Sequence, residues 1–236
     1  MHKQNSLSRK VFGRIKSTVF PQECIICNGK VQDGIICSFC DMHFDKVALK
    51  NPIFSVEKDG VTLHCAARFD YNDERVSRLV FALKQRKDRE LINYSALRMS
   101  SLPGLIYMPE KATVFTSVPR SYTGMYKYGF DQAQILAKRA ALLDGRVKYK
   151  NLLSRKGFIK EQKNLDARSR ERNVRGKYRL ARCPMLDKTF DGNIIIFDDV
   201  CTTGSSAIEC ARVLKENYKN AYICAVFLAR NDLNDM

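Results

Sequence analysis

Residues 194–206 read Ile-Ile-Ile-Phe-Asp-Asp-Val-Cys-Thr-Thr-Gly-Ser-Ser. A strand buried on both faces that ends in Asp198 and Asp199 carries both acids to its carboxyl end, where ligands bind in open α/β sheets. Carboxylates there accept hydrogen bonds from ribose hydroxyls or hold a divalent cation. Val200 follows, then Thr202, Thr203, Gly204, Ser205 and Ser206. Hydroxyls and backbone N–H groups leading into a helix N-terminus form a cradle for phosphate. Gly204 lets the backbone come close to that phosphate. The order acid-acid-x-x-Thr-Thr-Gly therefore suits a sugar with vicinal hydroxyls and a 5-phosphate. The stretch lacks the Gly-Lys-Ser/Thr of a P-loop. The plain alternative is an ordinary strand–loop–helix in which Asp199 or Thr203 is only a cap.

A second constellation stands near the start. Cys24, Cys27, Cys37 and Cys40 have the spacing C-x2-C-x9-C-x2-C. Each C-x-x-C can turn both sulfurs inward, and two such turns offer four thiolates at the tetrahedral positions zinc prefers. Four thiolates leave no open coordination position, so the zinc would be structural. Gly29 and Gly34 relax the backbone beside the two pairs, and so small a piece needs metal to become ordered. The alternative is two coincidental pairs of buried thiols. His43 could replace one ligand, although the cysteine set is already complete. Cys65, Cys183, Cys201, Cys210 and Cys224 have no such spacing and read as small, mostly buried residues.

These groups need elements to hold them. The 236 residues, 45% of them apolar, suffice for one good-sized core with a small appendage. Residues 61–71 alternate loosely, as a strand does. Val76, Leu79, Val80 and Leu83 fall on one face of a helix. Val114 to Val118 reads as a strand stopped by Pro119. Asp131 with Gln134 resembles a capping box. It opens a helix whose face is Ala133, Leu136, Ala137, Ala140 and Leu143, and which Gly145 ends. Ile194 to Phe197 has the apolar run of a central strand. Ala207, Ala211, Leu214 and Tyr218 mark another helix face, and Ala221 to Ala229 a last strand. The alternation predicts a doubly wound, mainly parallel α/β domain over 61–230. Ahead of it lie a basic segment over 1–20 and a four-cysteine finger over 21–50.

Charge is the unusual part of the composition. Lys and Arg number 41 against 25 acidic residues, a net charge of +16 that draws polyanions or anionic membrane surfaces. Residues 155–182 hold eleven Lys or Arg against Glu161, Asp166 and Glu171. They read as a basic loop or a solvated helical excursion. No segment approaches the ~18 uninterrupted apolar residues of a membrane span. Charges interrupt every apolar run before Phe20, so a signal-peptide core is absent and the cytosol is the expected compartment. There, cysteines serve as metal ligands or buried thiols more often than as disulfides.

The acid-pair string resembles the signature of type I phosphoribosyltransferases, which bind 5-phosphoribosyl 1-pyrophosphate with magnesium. The resemblance implies Asp198 and Asp199 on the ribose hydroxyls and Thr202 to Ser206 on the 5-phosphate. The earlier Ser117-Val118-Pro119-Arg120 stands where that family has its pyrophosphate loop, so Pro119 and Arg120 would face the pyrophosphate. The wider order resembles the ComF family of competence proteins, which includes the GntX-like proteins. It comprises Phe20-Pro21-x-x-Cys24-x-x-Cys27, the second cysteine pair, Leu79-Val80-x-x-Leu83-Lys84, Val118-Pro119, Gly129-Phe130-Asp131-Gln132, Gln162-x-x-Leu165, Arg172-Asn173-Val174 and the acid-pair loop. This implies a zinc finger on a phosphoribosyltransferase-like domain. It also implies a role in DNA uptake during natural transformation, with single-stranded DNA handled at the cytosolic face of the membrane beside a competence helicase. Relatives usually carry Arg-Gly-Phe-Asn-Gln where this chain has Tyr128-Gly129-Phe130-Asp131-Gln132. Asp131 thus reads either as part of the ligand contact or as a helix cap alone.

In phosphoribosyltransferases the region matching 155–182 is a flexible loop that covers the site and excludes water. The same residues, Arg168, Arg170, Arg172 and Arg175 among them, could instead track a DNA backbone, with Phe158 and Tyr178 available for stacking. A solvated basic surface without a specific partner is the third option. An authentic transferase acting on a base or amine acceptor is the functional alternative to DNA handling.

Overall fold

The computed structural model of the chain describes residues 22–156 and 176–231. The basic segment 1–20 and Phe158, Arg168, Arg170, Arg172 and Arg175 lie outside them.

A central six-stranded sheet organises the molecule, in the order β3-β4-β10-β9-β5-β6. Its members are β3 (Ile53–Lys58), β4 (Val61–Asp70), β5 (Thr113–Ser117), β6 (Lys148–Tyr149), β9 (Asn193–Cys201) and β10 (Tyr222–Arg230). All neighbours run parallel except β3, which pairs antiparallel with β4 at one edge. Ile194 to Phe197 are fully buried in the middle of this sheet, as their unbroken apolar run predicts.

Helices cover both faces. On one face lie α2 (Glu74–Gln85), α3 (Arg89–Met99) and α5 (Gln132–Asp144), whose buried side chains share one core with Phe115, Phe197 and Val226. The other face carries α6 (Ser205–Asn217), packed on Ile194, Ile196, Ala225 and Phe227. The predicted faces hold: Val76, Leu79, Val80 and Leu83 are buried in α2, and Ala207, Ala211 and Leu214 in α6. Asp131 caps α5 by accepting from Gln134 N at 3.1 Å, and Gly145 ends it at φ +76°. The fold is thus the α/β, doubly wound, mainly parallel architecture the alternation implied.

Three features depart from the sequence reading. The sheet starts before residue 61, because β3 returns on β4 through the turn at Asp59 and Gly60. The four-cysteine region does not stand apart from the domain. It holds β1 (Gln22–Glu23), β2 (Lys30–Val31) and α1 (Ser38–Lys46), and its Cys24, Ile26, Cys40 and Phe44 belong to the same core as α2 and α3. Phe44 sits against Phe69 and Tyr94, and Arg98 bonds both Asp41 and Asp45. Finally, the described ends of the basic region form a small antiparallel ribbon, β7 (Leu153–Arg155) with β8 (Tyr178–Leu180). Tyr178 is 3% exposed in that ribbon. Its ring is core, which removes it as a base-stacking platform for DNA.

Candidate functional site

The sheet register builds the site. Ser117 of β5 lies opposite Phe197 of β9, and Val118 N donates to Phe197 O at 3.0 Å. The next residues of each strand, Pro119-Arg120 and Asp198-Asp199, therefore emerge side by side. A short helix, α4 (Tyr122–Tyr128), follows β5 and buries no residue; α5 after it packs on one face of the sheet, and α6 after β9 on the other. Loops that part in this way leave a crevice at the carboxyl ends of the strands.

A cavity of about 430 Å³ occupies the crevice, within the range of small-molecule sites. Pro119, Arg120, Asp198 and Ser206, four of the residues expected from sequence, line it. Lys84, Gln132 and Tyr178 line it too. Sequence reasoning did not assign these to the site. Lys84 and Gln132 each stood in a motif quoted for the family order, which was the available signal.

The two acids have different surroundings. Asp198 faces the cavity and accepts from Asp199 N at 2.9 Å. Burial, and then the adjoining Asp199 carboxylate, push the Asp198 carboxyl well above its usual range. Asp199 is 5% exposed and does not line the cavity. Its Oδ1 accepts from Val200 N at 2.8 Å, and its Oδ2 accepts from Gln132 Nε2 at 2.9 Å and pairs with Lys84 Nζ at 3.6 Å. Asp199 thus holds two cavity-lining side chains, and Asp198 is the acid that lines the cavity itself. Val200 is half-buried and packs against the sheet core.

The hydroxyl loop runs from β9 into α6. Thr202 and Thr203 are exposed, Gly204 and Ser205 buried, and Ser206 reaches the cavity. Thr203 Oγ1 donates to Ser205 Oγ at 3.0 Å, and Lys58 Nζ of β3 donates to the same oxygen at 3.1 Å. Gly204 has φ +67°, and a Cβ on it would come within 2.5 Å of Val56 Cγ1. The structure requires the glycine for its left-handed backbone and for close packing against β3, a role separate from the expected phosphate approach. Burial pushes the Tyr178 phenol up to about 12, with Ser206 opposing the shift.

Arg120 lines the cavity with its charge, but its guanidinium is already engaged. It donates to Phe130 O at 3.0 Å and Lys84 O at 3.1 Å, with its Cζ 4.4 Å from the centre of the Tyr128 ring. Asp131 Oδ2 accepts from Arg120 N at 2.8 Å while Oδ1 caps α5. Asp131 does not line the cavity, so the carboxylate serves as cap and loop clamp. Burial raises its pKa even so.

The cysteine cluster is complete. The Sγ atoms of Cys24, Cys27, Cys37 and Cys40 all lie within 4.8 Å of one another. Zinc with Zn–S near 2.3 Å in a tetrahedron needs sulfurs about 3.8 Å apart, and Cys27 and Cys37 are 3.6 Å apart. Burial opposes ionisation of Cys24, yet backbone N–H groups, that of Cys37 first, outweigh it and bring the thiol down to about 7. This donor set fits a tetrahedral metal such as zinc. His43 is not among the ligands: its Nε2 pairs with Asp73 Oδ2 at 2.8 Å. Cys65, Cys201, Cys210 and Cys224 are buried and Cys183 is exposed. No described helix is long and apolar enough to cross a membrane.

No family model matches the chain, and no curated protein does. Among solved structures it is similar to phosphoribosyltransferases. A hypoxanthine phosphoribosyltransferase from Staphylococcus aureus shares 14% identity over 59% of this chain at a TM-score of 0.35, and the chain spans 62% of that protein. Adenine phosphoribosyltransferase from Saccharomyces cerevisiae shares 14% identity over 83% of this chain and 92% of its own, at a TM-score of 0.37. A purine phosphoribosyltransferase from Pyrococcus horikoshii shares 16% identity over 66% of this chain and 82% of its own, at 0.29. Likeness this distant says nothing about what the chain binds, which must come from its own residues.

Proposed function

We propose that this is a ComF-type competence protein whose α/β domain binds 5-phosphoribosyl 1-pyrophosphate and which handles single-stranded DNA during natural transformation. One observation carries the ligand half: the register of β5 on β9 sets Pro119-Arg120 beside Asp198 and Ser206 around a single cavity. On this reading Asp198 meets the ribose hydroxyls, and the stretch Thr202 to Ser206 holds the 5-phosphate at the start of α6. Arg120, with Lys84, offsets the pyrophosphate charge, and magnesium enters as that group's counter-ion. Residues 21–50 form the finger, with zinc on its four cysteines, and residues 61–230 the phosphoribosyltransferase-like domain, to which β3 adds an edge. The protein acts in the cytoplasm at the inner face of the membrane, beside a competence helicase.

The net charge of +16 and the ordered family motifs support the DNA half. The DNA contacts we assign, Arg168, Arg170, Arg172 and Arg175, lie outside the described residues. Filter binding of single-stranded DNA across a salt series tests it. Affinity should fall steeply as salt rises, and no binding at low salt would contradict the proposal.

A second reading is phosphoribosyl transfer to a base or amine acceptor. Asp198 and Ser206 at the cavity favour it, because a transferase needs the same acid and hydroxyl beside its sugar phosphate. Pyrophosphate release across an acceptor panel, with Asp199→Ala as control, separates turnover from binding. Release that persists unchanged in the variant would remove this site from the chemistry.

A further inference from the structure

Six described residues carry a buried side-chain polar atom with no hydrogen-bond partner among the described residues, and of these Gln132 is the one that lines the cavity. Its Nε2 donates to Asp199 Oδ2 at 2.9 Å. A carboxylate only accepts, so this bond fixes which end of the amide is nitrogen. The carbonyl end, Oε1, is the atom left shut from solvent without a partner. Asp199 cannot turn to relieve it, because Val200 N and Lys84 hold its two oxygens. A buried carbonyl oxygen left in this way calls for a donor from beyond the described residues, and its place at the cavity points to a ligand. A phosphate oxygen or a carboxylate cannot serve, since neither donates when ionised.

We infer that Gln132 is a specificity-determining residue that accepts a hydrogen bond from a ligand hydroxyl. Given the reading that the cavity takes a ribose 5-phosphate group, that hydroxyl belongs to the sugar diol. Asp198 and Gln132 then divide the diol between them, one charged acceptor and one neutral. Asp199 works behind them by holding the Gln132 amide in place. The inference goes beyond the acid pair, because it makes a neutral side chain on a different element part of sugar selection.

Calorimetric titration with ribose 5-phosphate and with 2-deoxyribose 5-phosphate tests this on the full chain. Wild type should favour ribose 5-phosphate by roughly tenfold, the worth of one well-made hydrogen bond. Gln132→Met keeps the length and removes the acceptor. It should weaken ribose 5-phosphate by about tenfold, shrink the preference over the deoxy sugar and leave inorganic pyrophosphate binding unchanged. Gln132→Ala should give the same change in preference, which keeps the test valid if the Met variant folds poorly. If both variants discriminate as wild type does, the partner of Oε1 is an ordered water only. The inference is then overturned while the ligand reading stands. If wild type binds neither sugar phosphate, the ligand reading fails and this inference with it.

Discussion

The cysteine cluster and the cavity solve opposite problems. At the cysteines every group has a use inside the protein: four sulfurs converge, backbone N–H groups aim at Cys24, and Phe44 seals the cluster to the sheet. At the cavity the groups are left with capacity to spare. Asp198 is held at a raised pKa, Gln132 keeps an unmet acceptor, and Lys84 and Arg120 present positive charge. A site built for stability satisfies its polar atoms, and a site built for a ligand leaves some of them to the ligand. Changes at the first region should therefore act on melting, and changes at the second on binding.

Cys40→Ser should break the first region most severely. Cys40 is fully buried in the core shared with α2 and α3, so loss of the metal cluster should lower the melting temperature of the whole chain by roughly 10 °C in one transition. Scanning calorimetry with and without a chelator checks this. Two separate transitions would mean that the finger folds apart from the domain.

Gly204→Ala should cost both properties. The left-handed backbone costs about 1–2 kcal/mol, and the Cβ contact at 2.5 Å on Val56 forces β3 or the loop to shift. Urea denaturation should give a loss of about 3 kcal/mol, with ligand binding lost as well.

Asp73→Ala should have a smaller effect than either. Asp73 caps α2 through Arg75 N and Val76 N and pairs with His43 of the finger. Its removal should cost about 1–2 kcal/mol without changing ligand affinity. Burial works against ionised Asp73, but the Val76 N–H and His43 outweigh it and hold the carboxyl below its usual range. The contribution is then present above the unfolded value of about 3.9 and lost as pH falls through the lower folded value.

Asp198 should behave in the reverse sense, with the smallest effect on melting. Its folded pKa is raised, so its ionisation opposes folding. The Asp198 contribution is greatest below about pH 3.9 and declines as pH rises toward the raised folded value. Asp198→Asn should remove that decline and melt higher at neutral pH, by about 1 kcal/mol. Melting temperatures of both proteins across pH check the sign, and parallel curves would refute it.

The readable part of the molecule was the part with local signals. Ile194 to Phe197 is apolar at every position, and α2 repeats its buried residues at helical spacing, so each declares itself. The cysteine spacing likewise lies within 17 residues, and the cluster forms as expected. β3 gave no such signal, because as an edge strand it buries only Val56. The burial of Tyr178 depends on a partner strand 23 positions earlier, across the basic segment. The unequal roles of Asp198 and Asp199 were hidden for the same reason. They follow from Lys84 and Gln132, which come from α2 and α5 and meet only in the folded chain.

We propose the crevice between β5 and β9 as a phosphoribosyl pyrophosphate site. Calorimetric titration of the full chain with 5-phosphoribosyl 1-pyrophosphate and magnesium, beside the same titration of Asp198→Asn, tests it most directly. The wild type should bind at one site and the variant, its fold intact, at least about tenfold more weakly. Equal heats in the two proteins, or none in the wild type, would contradict it.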